Sequence, residues 1–303
     1  MSLLPPPSQA STSTFASISL NWTDRLRLLQ FPPSVVHSIA DQLRASWPPG
    51  IQAEQALAPH CYEYKLRGTP FGSIGSKEAV GSRRLVRDVL AWLYVRGWTL
   101  ETPVSHSRYP RSKDSLVFRQ RRVVESAGWK GKEKQQDEKD NGGRLLGNNN
   151  EEVVLPAPVE WLVVAPMHGD RLRIIRDLNG LLVDGGNGEK FSSSSSSSSS
   201  AATARMRDSQ DELGVLVQAL KQAIAGVDYF QSGEWSHDSY EFKLKGYPWN
   251  AIGGKTVKVE VLLLAVFETL DRLGWRAYAS VRHRSDDDDT RKSETMFFVR
   301  DVS

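Results

Sequence analysis

A stretch of over a hundred residues occurs twice in this chain, and no single motif constrains the fold as much. The string YEYKLRGTP at 62–70 returns as YEFKLKGYP at 240–248, with six of nine positions identical. Three further pairs keep the same order: DRLRLL at 24–29 with DRLRII at 170–175, Gly97-Trp98 with Gly274-Trp275, and DSLVF at 114–118 with ETMFF at 294–298. Four anchors in one order imply a duplicated domain. A unit this long exceeds a solenoid repeat, so each copy is expected to hold its own core. The two should then pack as a pseudo-dimer, giving a monomer with internal pseudo-twofold symmetry.

Two segments interrupt the repeat. From 121 to 157 the composition turns to Lys, Glu, Asp, Gln, Asn and Gly, which predicts a flexible linker between copy one (15–120) and copy two (158–303). The spacing from DRLR to YE is 38 residues in copy one and 70 in copy two, and the excess contains the serine tract 192–200. That excess reads as a disordered surface insertion at about 179–210, since loop entropy grows slowly with length. Residues 1–14, MSLLPPPSQASTST, lack the basic and apolar parts of a signal peptide and read as a disordered leader.

With these set aside, both copies predict the order ββαβαββ, an α+β two-layer sandwich with helices on one face of a mostly antiparallel sheet. Strands are expected at 15–20 and 161–165, then at the two DRLR strings. Val35, Val36, Ile39, Leu43 and Trp47 recur at helical spacing after Pro32-Pro33, with a partner helix at 213–224. In the signature strand Tyr62, Tyr64 and Leu66 should face the core and Glu63, Lys65 and Arg67 solvent, as should Glu241, Lys243 and Lys245 in copy two. The longest helices, 80–96 and 256–273, end at Gly97 and Gly274, where a helix C′ residue takes positive φ. Two strands near 100–107 and 116–119 close the unit.

At 303 residues with 39% hydrophobic content, the chain has material for two cores. Its one cysteine, Cys61, matches Ser239 in copy two, so no internal disulfide forms and a reducing compartment, cytoplasm or nucleus, is expected. The longest apolar run, 259–267, is broken by Glu260 and far too short for a membrane span, so no membrane partner is expected. Net charge is +3 but uneven: copy one carries 14 Lys and Arg against 8 Asp and Glu, copy two 18 against 21. A basic copy one suits either an anionic partner or docking on its acidic sister.

The YEFKLKG-x-PW string, followed by a helix ending in GW and a strand like DSLVF, resembles an uncharacterised fungal family of tandem domains. Some of its members are catalogued under a Mediator subunit 13 name. The resemblance covers both copies but not the linkers, and implies no catalytic residues. Copy one departs from it at Phe71, where copy two has Trp249.

The loop after the signature strand is the first candidate site, with Gly68, Pro70, Phe71 and Lys77 in copy one and Gly246, Pro248, Trp249 and Lys255 in copy two. Glycines, a lysine and a helix start together suit an anion. GGKT at 253–256 is not a phosphate loop, because that spacing demands glycine where Trp249 stands. A purely structural turn, with Phe71 and Trp249 plugging the seam between copies, is the competing expectation. Arg83, Arg84 and Arg87 form a basic patch without counterpart in copy two, suited to phosphates or to docking on copy two. His106 and His283 occupy matching places, with no second histidine or cysteine at metal-ligand spacing. Asp24 and Asp170, with the arginines beside them, suggest weak ion pairs along an exposed hairpin.

No nucleophile and base, metal set or cofactor fingerprint recurs in both copies, so neither a cofactor nor catalytic residues are expected. The chain reads as a non-catalytic binding or scaffold protein with an unknown protein or anionic partner. Nucleic-acid binding through copy one is the alternative, and an enzyme with its site at the seam is a further one.

Overall fold

The computed structural model describes residues 14–72, 76–105, 113–123, 152–153, 156–176, 198–282 and 294–302. Copy one runs β1 (Phe15–Asn21), β2 (Arg25–Leu29), α1 (Pro33–Ser46), β3 (Ile51–Ala58), β4 (Cys61–Leu66), α2 (Ser76–Tyr94), β5 (Trp98–Val104) and β6 (Ser115–Gln120). A two-residue ladder of β7 (Arg122–Val123) and β8 (Glu152–Val153) brackets the segment between copies. Copy two runs β9 (Val159–Met167), β10 (Arg171–Arg176), α3 (Ser198–Gly226), β11 (Phe230–Ser236), β12 (Ser239–Leu244), α4 (Lys255–Arg272), β13 (Arg276–Val281) and β14 (Thr295–Asp301).

The two six-stranded antiparallel sheets have the same order, β3-β4-β2-β1-β6-β5 and β11-β12-β10-β9-β14-β13. The duplicated α+β architecture is therefore present. It carries one strand per copy more than the sequence pattern predicted, giving ββαββαββ. The extra strands escape the pattern because they are edges: seven of eight residues of β3, IQAEQALA, are exposed, so nothing selects alternating apolar side chains. Their ladder with β4 is a backbone affair, with bulges at Ile51/Ala53 and Ala56/Ala58. Helix α3 also begins earlier than expected, at Ser198, inside the predicted insertion, where AATARMR supplies good helix formers. The rest of that insertion, the leader and most of the linker lie outside the described residues.

Local chemistry explains the helix ends. Pro33 opens α1, where its missing N–H costs nothing, and the Trp47 indole at the far end donates to the Arg67 carbonyl at 2.8 Å. Gly97 and Gly274 both take φ +80, as the sequence predicted, and the Trp275 amide donates back to the Leu270 carbonyl at 2.9 Å.

The central strands of copy two's sheet, β10, β9 and β14, are buried on both faces. Leu162, Val164, Leu172, Ile174 and Phe298 meet α3 and α4. The alternate residues Trp161, Val163, Ala165, Ile175, Phe297 and Val299 join the core that holds α2 and the sheet of copy one. The layers are sheet one, helix α2, sheet two, then α3 with α4. Helix face meets sheet face, so the copies use different surfaces and the expected pseudo-twofold symmetry is corrected to head-to-tail packing. The cause is in the strands: registers place Phe15, Ser17, Ser19, Val117 and Arg119 of copy one where copy two has Trp161, Val163, Ala165, Phe297 and Val299. Only the second set repays burial.

Candidate functional site

The contact between copies is built on α2. Counting from the shared Gly-Trp, its outer positions Val80, Arg83, Arg84, Arg87, Leu90 and Tyr94 correspond to Val257, Glu260, Val261, Leu264, Phe267 and Asp271 of α4. On α2 this face is covered. Tyr94, Trp161 and Tyr278 stack edge to face with centroids 4.8–5.9 Å apart, and the Leu100 amide donates to the Tyr278 hydroxyl at 2.9 Å. At the other end of β13 the Asp114 amide donates to the Arg282 carbonyl at 2.8 Å, and the Arg282 amide to the Asp114 carboxylate at 2.7 Å. Burial pushes the Tyr278 phenol up to about 12.

The three arginines singled out from the sequence all sit in this contact. Arg83 and Arg87 are buried; Arg83 donates to the Ala79 carbonyl at 3.0 Å and Arg87 binds Asp88 through Nε and Nη2 at 2.8 and 2.7 Å. Arg84 reaches the β11–β12 turn, where it donates to the Asp238 carbonyl at 2.8 Å. That turn is tight, with His237 and Asp238 at φ +51 and +53.

The row expected to be solvated holds a buried charge in each copy. Glu63 is 2% exposed and accepts from Arg25 at 2.5 Å, Arg27 at 2.7 Å and Gln55 at 3.2 Å. Glu241 accepts from Arg171 and Arg173. The correction has a physical reason: each carboxylate lies opposite two arginines of the neighbouring strand, whose long stems close over it. Burial works to raise both carboxyls, yet the arginine hydrogen bonds outweigh it and hold each below the ordinary glutamate range. In copy one both arginines are about a third exposed, whereas Arg173, at the seam, is 2% exposed.

The two candidate loops stay within their own copies. Phe71 is buried with its amide on the Thr23 carbonyl at 2.8 Å, and Trp249 donates through its indole to the Arg171 carbonyl at 2.7 Å. Each aromatic plugs the β-hairpin turn of its own sheet and not the seam, which corrects that part of the sequence reading. Gly68 and Gly246 take φ +74 and +70 beside Pro70 and Pro248, both buried. Lys77 and Lys255 are exposed at the helix starts. The first amides of α4 already bond to the loop, Lys255 to the Ile252 carbonyl at 3.4 Å and Thr256 to that of Gly253 at 3.1 Å. Fewer donors are therefore left for an anion. His106 and His283 lie outside the described residues, and no metal-ligating cluster occurs among those described.

One corner differs between copies. Trp98 is sealed by Phe31, ring centroids 4.9 Å apart, whereas Trp275 lies under Arg300 and Arg176, with Arg300 4.8 Å from the ring. Both arginines pair with Glu160 and Glu212, leaving a cleft of about 260 Å³ whose charges are internally matched.

The face of α4 is the feature sequence reasoning missed. Val257, Val261 and Leu264 are 58, 47 and 61% exposed, with Ile252 exposed beside the helix start. A signal existed: apolar residues surround α4 on more sides than one core stripe needs, the mark of a helix meant to be covered.

No helix among the described residues is long and apolar enough to cross a membrane. Comparison with curated proteins gives no match. One solved structure, a conserved kinetoplastid-specific protein from Trypanosoma cruzi, is similar over 48% of this chain and 97% of its own, at 14% identity and a TM-score of 0.25. The model of an uncharacterised domain family matches residues 14–119 and 196–299, covering copy one and copy two from the start of α3, and the chain belongs to that family.

Proposed function

We propose that the protein is a non-catalytic docking module that takes a protein partner on the outer face of α4. One observation carries this reading. The positions through which α2 holds copy two recur on α4 as an exposed apolar stripe, Val257, Val261 and Leu264, with nothing described covering it. The duplication thus supplies a worked example of what such a face does. Nucleic-acid binding is disfavoured because Arg83 and Arg87 are buried and Arg84 is engaged by copy two. An enzyme at the seam is disfavoured because aromatic side chains fill it. A photo-crosslinking side chain placed at position 264, with position 222 on α3 as control, tests the proposal in an extract of cells making the protein. Protein adducts from 264 and none from 222 are expected; silence at 264 sinks the reading.

A further inference from the structure

We infer that the occupant of the α4 face is the α4 of a second copy of this chain, laid antiparallel across it, an inference that rests on the docking reading above. Val257, Val261 and Leu264 follow a four-then-three spacing, which keeps them on one narrow stripe of the helix. One turn further on, the stripe becomes acidic at Glu268 and Asp271, while Lys258 flanks its start.

Along the stripe this charge order opposes the helix dipole, which favours acids at the N-terminus and bases at the C-terminus, although Arg272 in the last turn follows the dipole. Helix α4 has no acid in its first turn, and within its own copy Lys255, Glu268 and Asp271 have no salt-bridge partner among the described residues. An antiparallel copy removes the conflict. Centred between Val261 and Leu264, it brings Lys258 of each chain to the acidic end of the other, twice by symmetry. The contact uses the same patch from both chains, so it closes as a dimer.

Head-to-tail addition, the mode used inside the chain, does not serve here. Beside Phe15 and Val117, the sheet face of copy one offers Ser17, Ser19, Arg119 and the Arg25, Arg27 and Glu63 cluster, whose charges would be desolvated against valine and leucine. A helix of 18 residues spans about 27 Å, which suits a weak dimer and not an obligate one. The dimer departs from the monomer expected from the sequence.

Sedimentation equilibrium of the full chain, from about 1 to about 200 µM, tests this. A concentration-dependent doubling of mass is expected, and Leu264→Asp should leave only monomer, with an unchanged circular dichroism spectrum because the residue lies outside the core. Lys258→Glu and Glu268→Lys should each weaken the dimer about tenfold, and together restore it to within about threefold. A monomer at every concentration, a dimer indifferent to Leu264→Asp, or charge swaps that add instead of cancelling would each overturn the inference. If the chain is monomeric yet the crosslinker at 264 captures a different protein, only the occupant is wrong. If it is monomeric and the crosslinker stays silent, the docking reading falls as well.

Discussion

The outer faces of the two sheets share one backbone plan and meet opposite fates. Sheet one presents Phe15, Ser17 and Ser19 to its outer side; sheet two presents Trp161, Val163 and Ala165 at the same register positions and is covered by α2. The helices show the reverse pairing, with the outer face of α2 covered and that of α4 uncovered among the described residues. A duplicated domain therefore specifies its order in the chain through a few side chains on surfaces irrelevant to its own core. What decides the contact is the amount of apolar area each face withdraws from water.

The largest test of that contrast removes an aromatic from the covered face. Trp161→Ala should cost about 3 to 5 kcal/mol, because the indole is buried against Tyr94 and Tyr278 and leaves a cavity. Phe15→Ala, at the equivalent half-exposed position, should cost less than about 1.5 kcal/mol. Urea denaturation of both variants measures the difference, and equal costs would break the comparison.

The buried carboxylates sharpen it next. Glu241→Ala should cost about 3 kcal/mol, since Arg173 is left charged inside the seam, whereas the partners of Glu63 can turn to water and Glu63→Ala should cost about half as much. Both carboxyls are held below the ordinary glutamate range, so their contribution is complete above that range and is lost as pH falls through the depressed values. Denaturation midpoints measured from neutral pH downward should show an acid slope that Glu241→Ala flattens more than Glu63→Ala does.

How much of this was legible depended on whether a residue's neighbours were close in sequence. The duplication, the inward-facing residues Tyr64, Leu66, Phe242 and Leu244, and the positive φ at Gly97 and Gly274 were readable, because period and turn chemistry are local, while Tyr62 and Tyr240, expected inward with them, are only half-buried. The edge strands β3 and β11 were not, since an edge exposed on nearly all sides selects no periodic pattern. Glu63 and Glu241 were read as solvated because alternation places them outward, and only the strand order β4-β2 and β12-β10 reveals the arginines beside them. The head-to-tail seam was within reach: WLVVA in β9 has no polar alternation, the mark of a strand buried on both faces, while ASISL in β1 alternates.

A smaller effect is expected where the seam is held by a hydrogen bond. Tyr278→Phe keeps the ring and removes the acceptor of the Leu100 amide, for a cost of about 1 to 2 kcal/mol. Because burial raises the phenol to about 12, the folded protein resists its ionisation, and stability should decline as pH rises from about 10 toward that value. Ultraviolet titration of wild type against Tyr278→Phe should identify one tyrosine that ionises late; a normal titration would mean the seam is wetter than sheet two's burial implies.

The smallest expected effect is the most discriminating for the two helices. Val261 and Arg84 occupy the same helix position, but Arg84 donates to the Asp238 carbonyl of copy two while Val261 faces outward. Arg84→Ala should cost about 1 kcal/mol, because the bond it makes is half-exposed and shared with water. Val261→Ser, measured below about 1 µM where any association is absent, should change folding stability by less than about 0.5 kcal/mol, since an exposed helix position gains little from an apolar side chain. If Val261→Ser destabilised the isolated chain as much as Arg84→Ala, α4 would already be covered from within the chain. The asymmetry between the copies would then be a matter of which segment covers each helix, not of one face left for a partner.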